Sequence, residues 1–149
     1  MLFPVRCACC GALGASPCPA CRAELRPSGP VPAVAGIDRL VVCFAYDGPA
    51  RSLLTGLKYG GNRAALPWLG AALHSAWVDA GLDGTPVWAP TGSTRARRRG
   101  FDQAELLARS LHRAAPRAGP GPVGPAVVRP RRLLDRLPGP AQTGRAGRQ

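Results

Sequence analysis

The sequence predicts an α/β chain: a parallel sheet carrying helices, preceded by a small metal-held module. Three observations predict it. Cysteines are concentrated near the N-terminus in two tight pairs. Short β-rich runs then alternate with segments of helical period, the order expected of βαβ units. At 149 residues, one modest core beside the cysteine module is the natural size of the fold.

The cysteine pairs are Cys7-Ala8-Cys9-Cys10 and Cys18-Pro19-Ala20-Cys21. Cys7 with Cys10 and Cys18 with Cys21 make two C-x-x-C steps, with seven residues between them. Thiolates two residues apart can bend round one ion, and two such pairs supply the four sulfurs of a closed tetrahedral zinc site. Gly11 and Pro19 stand where tight turns need them. The competing explanation is a disulfide cluster in a secreted mini-protein. Residues 1–6 are too short for a secretory signal, so reduced thiols, bound metal and a cytoplasmic chain are expected. Cys9 is a spare thiol that could replace Cys7 or Cys10, and Cys43 lies in an apolar run as a core residue. The expected organisation is a four-cysteine, zinc-ribbon-like module over residues 1–27, a linker over 28–39 rich in Pro and Gly, and an α/β domain over 40–149.

Within that domain Leu40-Val41-Val42-Cys43-Phe44-Ala45-Tyr46 reads as a strand. Asp47-Gly48-Pro49 stops it and starts a helix over 50–58, with Leu53, Leu54 and Leu57 on one face. A second helix is expected over 63–80, where Leu66, Leu69, Leu73, Ala76, Trp77 and Ala80 form a core stripe and Pro67 falls in the first turn. His74 and His112 are lone histidines within helices, with no partner to suggest chemistry. Pro86-Val87-Trp88-Ala89-Pro90 is a second short strand candidate. A third helix starts at Asp102, with Glu105 three residues on in a capping-box arrangement. Its apolar face is Phe101, Ala104, Leu107, Ala108 and Leu111. Residues 116–125 read as a flexible connection, Ala126-Val127-Val128 as a last short strand, and 116–149 as poorly ordered overall.

The chain carries 20 basic residues, of which Lys58 is the one lysine, against 8 acids, for a formal charge of +12. That excess favours anionic partners. No apolar run reaches the ~20 residues needed to span a bilayer, so no membrane partner is expected. The basic segment Thr91-Gly92-Ser93-Thr94-Arg95-Ala96-Arg97-Arg98-Arg99-Gly100 is read as a loop leaving a strand and entering a helix. Ligands bind at such positions in parallel sheets, and helix N-termini offer free N–H groups to anions. A phosphate or pyrophosphate is therefore a physically reasonable ligand, with a merely solvated basic loop and nucleic-acid backbone binding as the alternatives.

Four ordered pieces of the chain resemble a known family. They are the Cys7, Cys10, Cys18, Cys21 quartet; Asp47-Gly48-Pro49-Ala50-Arg51 followed by Leu57-Lys58-Tyr59-Gly60-Gly61; Arg99-Gly100-Phe101-Asp102-Gln103-Ala104-Glu105-Leu106-Leu107-Ala108; and a weaker stretch from Arg129 that ends Ala141-Gln142-Thr143-Gly144. Together they look like the ComF family, phosphoribosyltransferase-like proteins linked to competence and DNA uptake in bacteria. The resemblance covers essentially the whole chain. It implies a type I phosphoribosyltransferase fold behind the zinc module. It also implies that the segment after residues 86–90 contacts the diphosphate of phosphoribosyl pyrophosphate. Thr94, Arg95, Arg97, Arg98, Arg99 and Gly100 are then the pyrophosphate-binding candidates. Lys58 and Tyr59 belong to a family motif without an assigned role.

The sequence departs from that family in three places. Ala89-Pro90-Thr91-Gly92 stands where the family has Pro-x-Pro, and Asp102 stands where it has Asn, a tolerable change for a helix cap. The family's signature for ribose and 5′-phosphate, two adjacent acids before a Thr/Gly-rich loop, has no counterpart, since no two acidic residues are adjacent. The expectation is therefore an incomplete, C-terminally truncated member without transferase turnover and with no assigned catalytic residue. Mg²⁺ would matter only if the complete enzyme were active, and phosphoribosyl pyrophosphate would bind weakly. The alternative is a non-enzymatic zinc-containing adaptor for single-stranded DNA or a DNA-uptake helicase. Its weakness is the lack of aromatics within the basic stretches, because single-strand binders stack bases on aromatic rings.

Overall fold

Helices rather than strands make up the body of the molecule. The structure, a computed structural model, describes residues 4–115, with the Ser93 side chain left aside. Five helices follow one another: α1 (Pro19–Ala23), α2 (Gly48–Tyr59), α3 (Leu66–Asp79), α4 (Ser93–Arg99) and α5 (Gln103–Ala114). Pro19, Pro49 and Pro67 each stand in the first turn of their helix, where a missing N–H goes unnoticed. Asp102 caps α5 as its residue type predicts, accepting from the backbone N–H groups of Ala104 and Glu105.

The core is small and mixed in origin. Leu53 of α2 and Ala65 and Leu69 around the start of α3 are buried together. Ala8, Cys9 and Leu25 of the cysteine module pack against them, with Trp68 and Leu107. The module is thus seated on the helices rather than tethered at a distance. Phe44 stacks on Trp68 with ring centroids 5.6 Å apart, and the Arg22 guanidinium lies 5.8 Å from the Trp68 ring.

α3 and α5 form the closest helix pair, and they meet at Gly70 and Ser110. A Cβ at Gly70 would stand 2.5 Å from the backbone C and O of Ser110, so only glycine lets the helices approach this far. The buried Ser110 hydroxyl donates to the Leu66 carbonyl oxygen at 2.6 Å. That bond ties α5 to the first turn of α3.

The expected parallel sheet is absent from the described residues. Pairing there is limited to two isolated antiparallel bridges, Arg6 with Leu13 and Pro27 with Phe44. Residues 40–46 run irregularly, and Leu40, Val41 and Val42 remain exposed. Residues 86–90 show the inside–outside alternation of a strand, with Pro86 and Trp88 buried and Val87 exposed. Prolines at both ends leave that segment poor in donors, and no neighbouring strand lies beside it among the described residues. β-propensity describes how a residue suits a pleated surface, and it cannot supply the partner that makes the surface. An apolar cavity of about 220 Å³ is lined by Cys43, Phe44, Tyr46, Leu53, Leu73 and Leu107 among others. The expected strand at 126–128, the stretch from Arg129 to Gly144 and the expected disorder of 116–149 lie outside the described residues.

A second correction concerns the basic segment. Residues 93–99 are helical, not a loop. Arg and Ala are good helix formers, and Gly100 ends the helix in the left-handed region at φ 75°, where a side chain would be strained.

Candidate metal centre and cationic pocket

The four predicted thiols converge. One ligand sulfur each from Cys7, Cys10, Cys18 and Cys21 lies within 4.8 Å of all the others, and none is in a disulfide. Local backbone geometry explains the convergence. The first knuckle closes with Gly11 N–H donating to the Cys7 carbonyl at 2.9 Å and Cys7 N–H to the Ala12 carbonyl at 2.8 Å, with Gly11 at φ 78°. In the second, Cys18 is the N-cap of α1, Pro19 starts the helix and Cys21 stands one turn in. Ser16 fastens the two together, its buried hydroxyl oxygen accepting from Ala8 N–H at 2.9 Å.

The donor set fits a tetrahedral ion. Metal–sulfur bonds of about 2.3 Å give tetrahedral sulfur–sulfur edges of about 3.8 Å, and Cys10 Sγ lies 3.7 Å from Cys18 Sγ. The Cys7 sulfur accepts from the Cys9 N–H at 3.4 Å and the Cys18 N–H at 3.3 Å. Burial by itself would raise the Cys7 pKa. The N–H groups of Cys10, Cys18 and Cys9 outweigh it and bring the value down to about 6, so a thiolate is ready at neutral pH. Burial and hydrogen bonds with the neighbouring sulfurs push Cys21 upward instead. With four ligands in place the site is closed, which is the arrangement of a structural metal.

Cys9 stands apart from this quartet. Its Sγ lies 3.6 Å from the Pro49 carbonyl, facing the first turn of α2, and burial together with the Cys7 charge pushes its pKa up to about 11. It joins the module to the body as a neutral thiol. Cys43 is half-buried on the apolar cavity, and burial raises its pKa too.

A second site is assembled from residues far apart in the chain. Lys58, Tyr59, Gly60 and Gly61 at the end of α2 face Arg98, Arg99 and Phe101 across a mostly polar pocket of about 390 Å³. The Arg99 guanidinium stacks on the Tyr59 ring at 5.1 Å, and its Nη1 donates to Gln103 Oε1 at 2.8 Å. Arg99 Nε is buried without a hydrogen-bond partner among the described residues. The Arg63 guanidinium lies 4.7 Å from the ring centroid of Phe101, which lines the pocket. Among the described residues no carboxylate lines the pocket, and the ion pairs Arg26 with Asp47 and Arg109 with Glu105 lie elsewhere.

The predicted phosphate residues therefore divide. Arg98 and Arg99 line the pocket, whereas Thr94, Arg95, Arg97 and Gly100 are not among its lining residues. The anion-binding start expected of α5 is already occupied. Asp102 takes its N–H groups and also accepts from Thr91 N–H at 2.7 Å and the Thr91 hydroxyl at 3.0 Å. A carboxylate there repels a second anion, so cations rather than a helix end make the pocket attractive to one. Lys58 and Tyr59, which the sequence alone leaves without a role, meet the arginines here; the signal was their place in a motif. Among the described residues no helix is long and apolar enough to cross a membrane. Comparison with protein families, with curated proteins and with solved structures yields no match for this chain.

Proposed function

We propose that this chain is a ComF-like protein in which a structural zinc clip supports a pocket for the phosphate groups of phosphoribosyl pyrophosphate or a related ligand. Four thiolates, no open coordination position and soft donors favour zinc, held by Cys7, Cys10, Cys18 and Cys21, and its role when bound is to fix the two knuckles. The observation that carries the phosphate reading is the meeting of Lys58 and Tyr59 with Arg98 and Arg99, 40 residues on in sequence. Lys58 acts as a point charge and Arg98 as a planar fork for two phosphate oxygens. Arg99 is held in place by Tyr59 and Gln103. With no carboxylate among its described lining residues to hold a ribose or Mg²⁺, the pocket is read as one that binds and does not turn over.

Two charge-assisted contacts at about 2–3 kcal/mol each place the dissociation constant near ~0.04–1 mM. Calorimetric titration of inorganic pyrophosphate and of phosphoribosyl pyrophosphate into the zinc-loaded chain tests this. Binding in that range, weakened about tenfold or more by Lys58→Ala or Arg98→Ala, supports the reading. No heat at millimolar ligand, or equal binding by the variants, refutes it.

A second reading, a zinc-containing adaptor for single-stranded DNA in uptake, is favoured by the two arginine-covered rings. Tyr59 and Phe101 line the basic pocket and supply rings of the kind on which single-strand binders stack bases. Oligonucleotide retardation at low salt that fades steeply with added salt would select it, and its failure at low salt would remove it.

A further inference from the structure

We infer that Cys10 and Cys18 form an oxidation site, at which a peroxide-class oxidant joins the two sulfurs and expels the metal; the inference rests on the metal reading above. The four ligand sulfurs are not equivalent. Cys7 and Cys21 are buried, Cys18 is half-buried and Cys10 is exposed. The Cys7 sulfur is further enclosed by the N–H groups of Cys9 and Cys18. An oxidant arriving from solvent therefore meets Cys10 first. All three other ligand sulfurs lie within 4.8 Å of it, and of these Cys18, at 3.7 Å on the other knuckle, is the one that is not fully buried. Cys9 is the spare thiol of the same loop, yet it faces Pro49 and the helical body.

The chemistry balances with one equivalent of hydrogen peroxide. Cys10 Sγ attacks a peroxide oxygen; an S–O bond forms, the O–O bond breaks and the leaving hydroxide takes a proton. Cys18 Sγ then attacks the sulfenic sulfur; the S–S bond forms, the S–O bond breaks and a second water leaves with a second proton. Two thiolates give up two electrons, and peroxide with two protons becomes two waters. Cys7 and Cys21 remain, half of the set that closed the site. The loss is felt by α2, because Ala8 and Cys9 of the first knuckle pack against the core cluster that includes Leu53, and the Ala8 carbonyl lies 3.5 Å from where a Gly56 side chain would begin. The last turn of that helix carries Lys58 and Tyr59.

The full zinc-loaded chain is treated with equimolar hydrogen peroxide. Released zinc is read with a chromophoric chelator, and cross-links by mass spectrometry under non-reducing conditions. Trypsin leaves all four ligands in the 7–22 peptide. The expected result is one zinc released for two thiols lost, with that peptide lighter by two hydrogens and resistant to fragmentation between Cys10 and Cys18. Thiol reductant with added zinc restores the starting state, and Cys9→Ser still forms the same cross-link. Zinc retained after oxidation, or a cross-link through Cys9 or between chains, overturns the inference. A chain that takes up no zinc before oxidant is added overturns the metal centre itself, a separable failure. Pyrophosphate binding that is absent from the reduced, loaded protein refutes only the pocket.

Discussion

Gly70→Ala and Gly56→Ala are the same substitution in two helices, and the structure assigns them opposite signs. A Cβ at Gly70 would lie 2.5 Å from the Ser110 carbonyl carbon and oxygen and 2.6 Å from its hydroxyl. The carbonyl atoms belong to the backbone of a packed helix and cannot swing aside. Reaching an ordinary carbon contact of about 3.5 Å requires α5 to retreat by roughly 1 Å. The retreat strains a packed contact at about 1–3 kcal/mol and threatens the Ser110–Leu66 hydrogen bond, at about 1 kcal/mol. Replacing glycine by alanine in a helix returns about 1 kcal/mol, so the net loss is about 1–3 kcal/mol. At Gly56 the new Cβ would meet the Ala8 carbonyl oxygen at 3.5 Å, an ordinary contact, so the propensity gain of about 1 kcal/mol survives. Urea unfolding of the two variants and the parent, all zinc-loaded, reads the difference from the transition midpoints. A Gly70→Ala protein as stable as Gly56→Ala would refute the helix crossing described here.

Three other outcomes are expected. Asp102→Ala, which loses the α5 cap and the tie to Thr91, should destabilise by about 1–2 kcal/mol, and Asp102→Asn by less, as read from urea midpoints. Cys43 has a raised pKa. Its contribution to stability is therefore full below the ordinary thiol value of 9.0 and is lost as pH rises beyond it, and iodoacetamide should label it more slowly than a free thiol at pH 8 in mass-spectrometric time courses. Stripping the metal with a chelator should loosen the module from the core cluster, against which Leu25 and Trp68 both pack, and from Trp68, over which Arg22 lies, and so red-shift tryptophan fluorescence; an unchanged spectrum would contradict the seating of the module.

Spacing carries the most reliable information in the sequence. C-x-x-C steps converge because a knuckle is closed by its own backbone, so Cys7, Cys10, Cys18 and Cys21 can be identified without tertiary knowledge. The Asp102 cap is equally local and equally readable; of the core stripe expected on α3, Leu69 is buried, while Leu66, Leu73, Ala76, Trp77 and Ala80 are half-buried. Residues 40–46 mislead for the opposite reason: a strand is a relation between segments, and its partner is not written beside it. The α4 segment reads as a loop because its run of arginines suggests solvent, although arginine favours helix. The cationic pocket joins the end of α2 to the end of α4, 40 residues apart, which no short window of sequence contains. The same holds for Tyr59, 40 residues before Arg99 in sequence and under its guanidinium in space, whereas Phe101 follows Arg99 by two residues.

Native mass spectrometry of the full chain with inorganic pyrophosphate tests the central claim most directly, because zinc and the anion are weighed on one molecule. One zinc per chain is predicted, with a pyrophosphate adduct on the parent that is lost from Lys58→Ala and Arg98→Ala while their zinc remains. A chain without zinc, or variants that keep the adduct, would contradict the account.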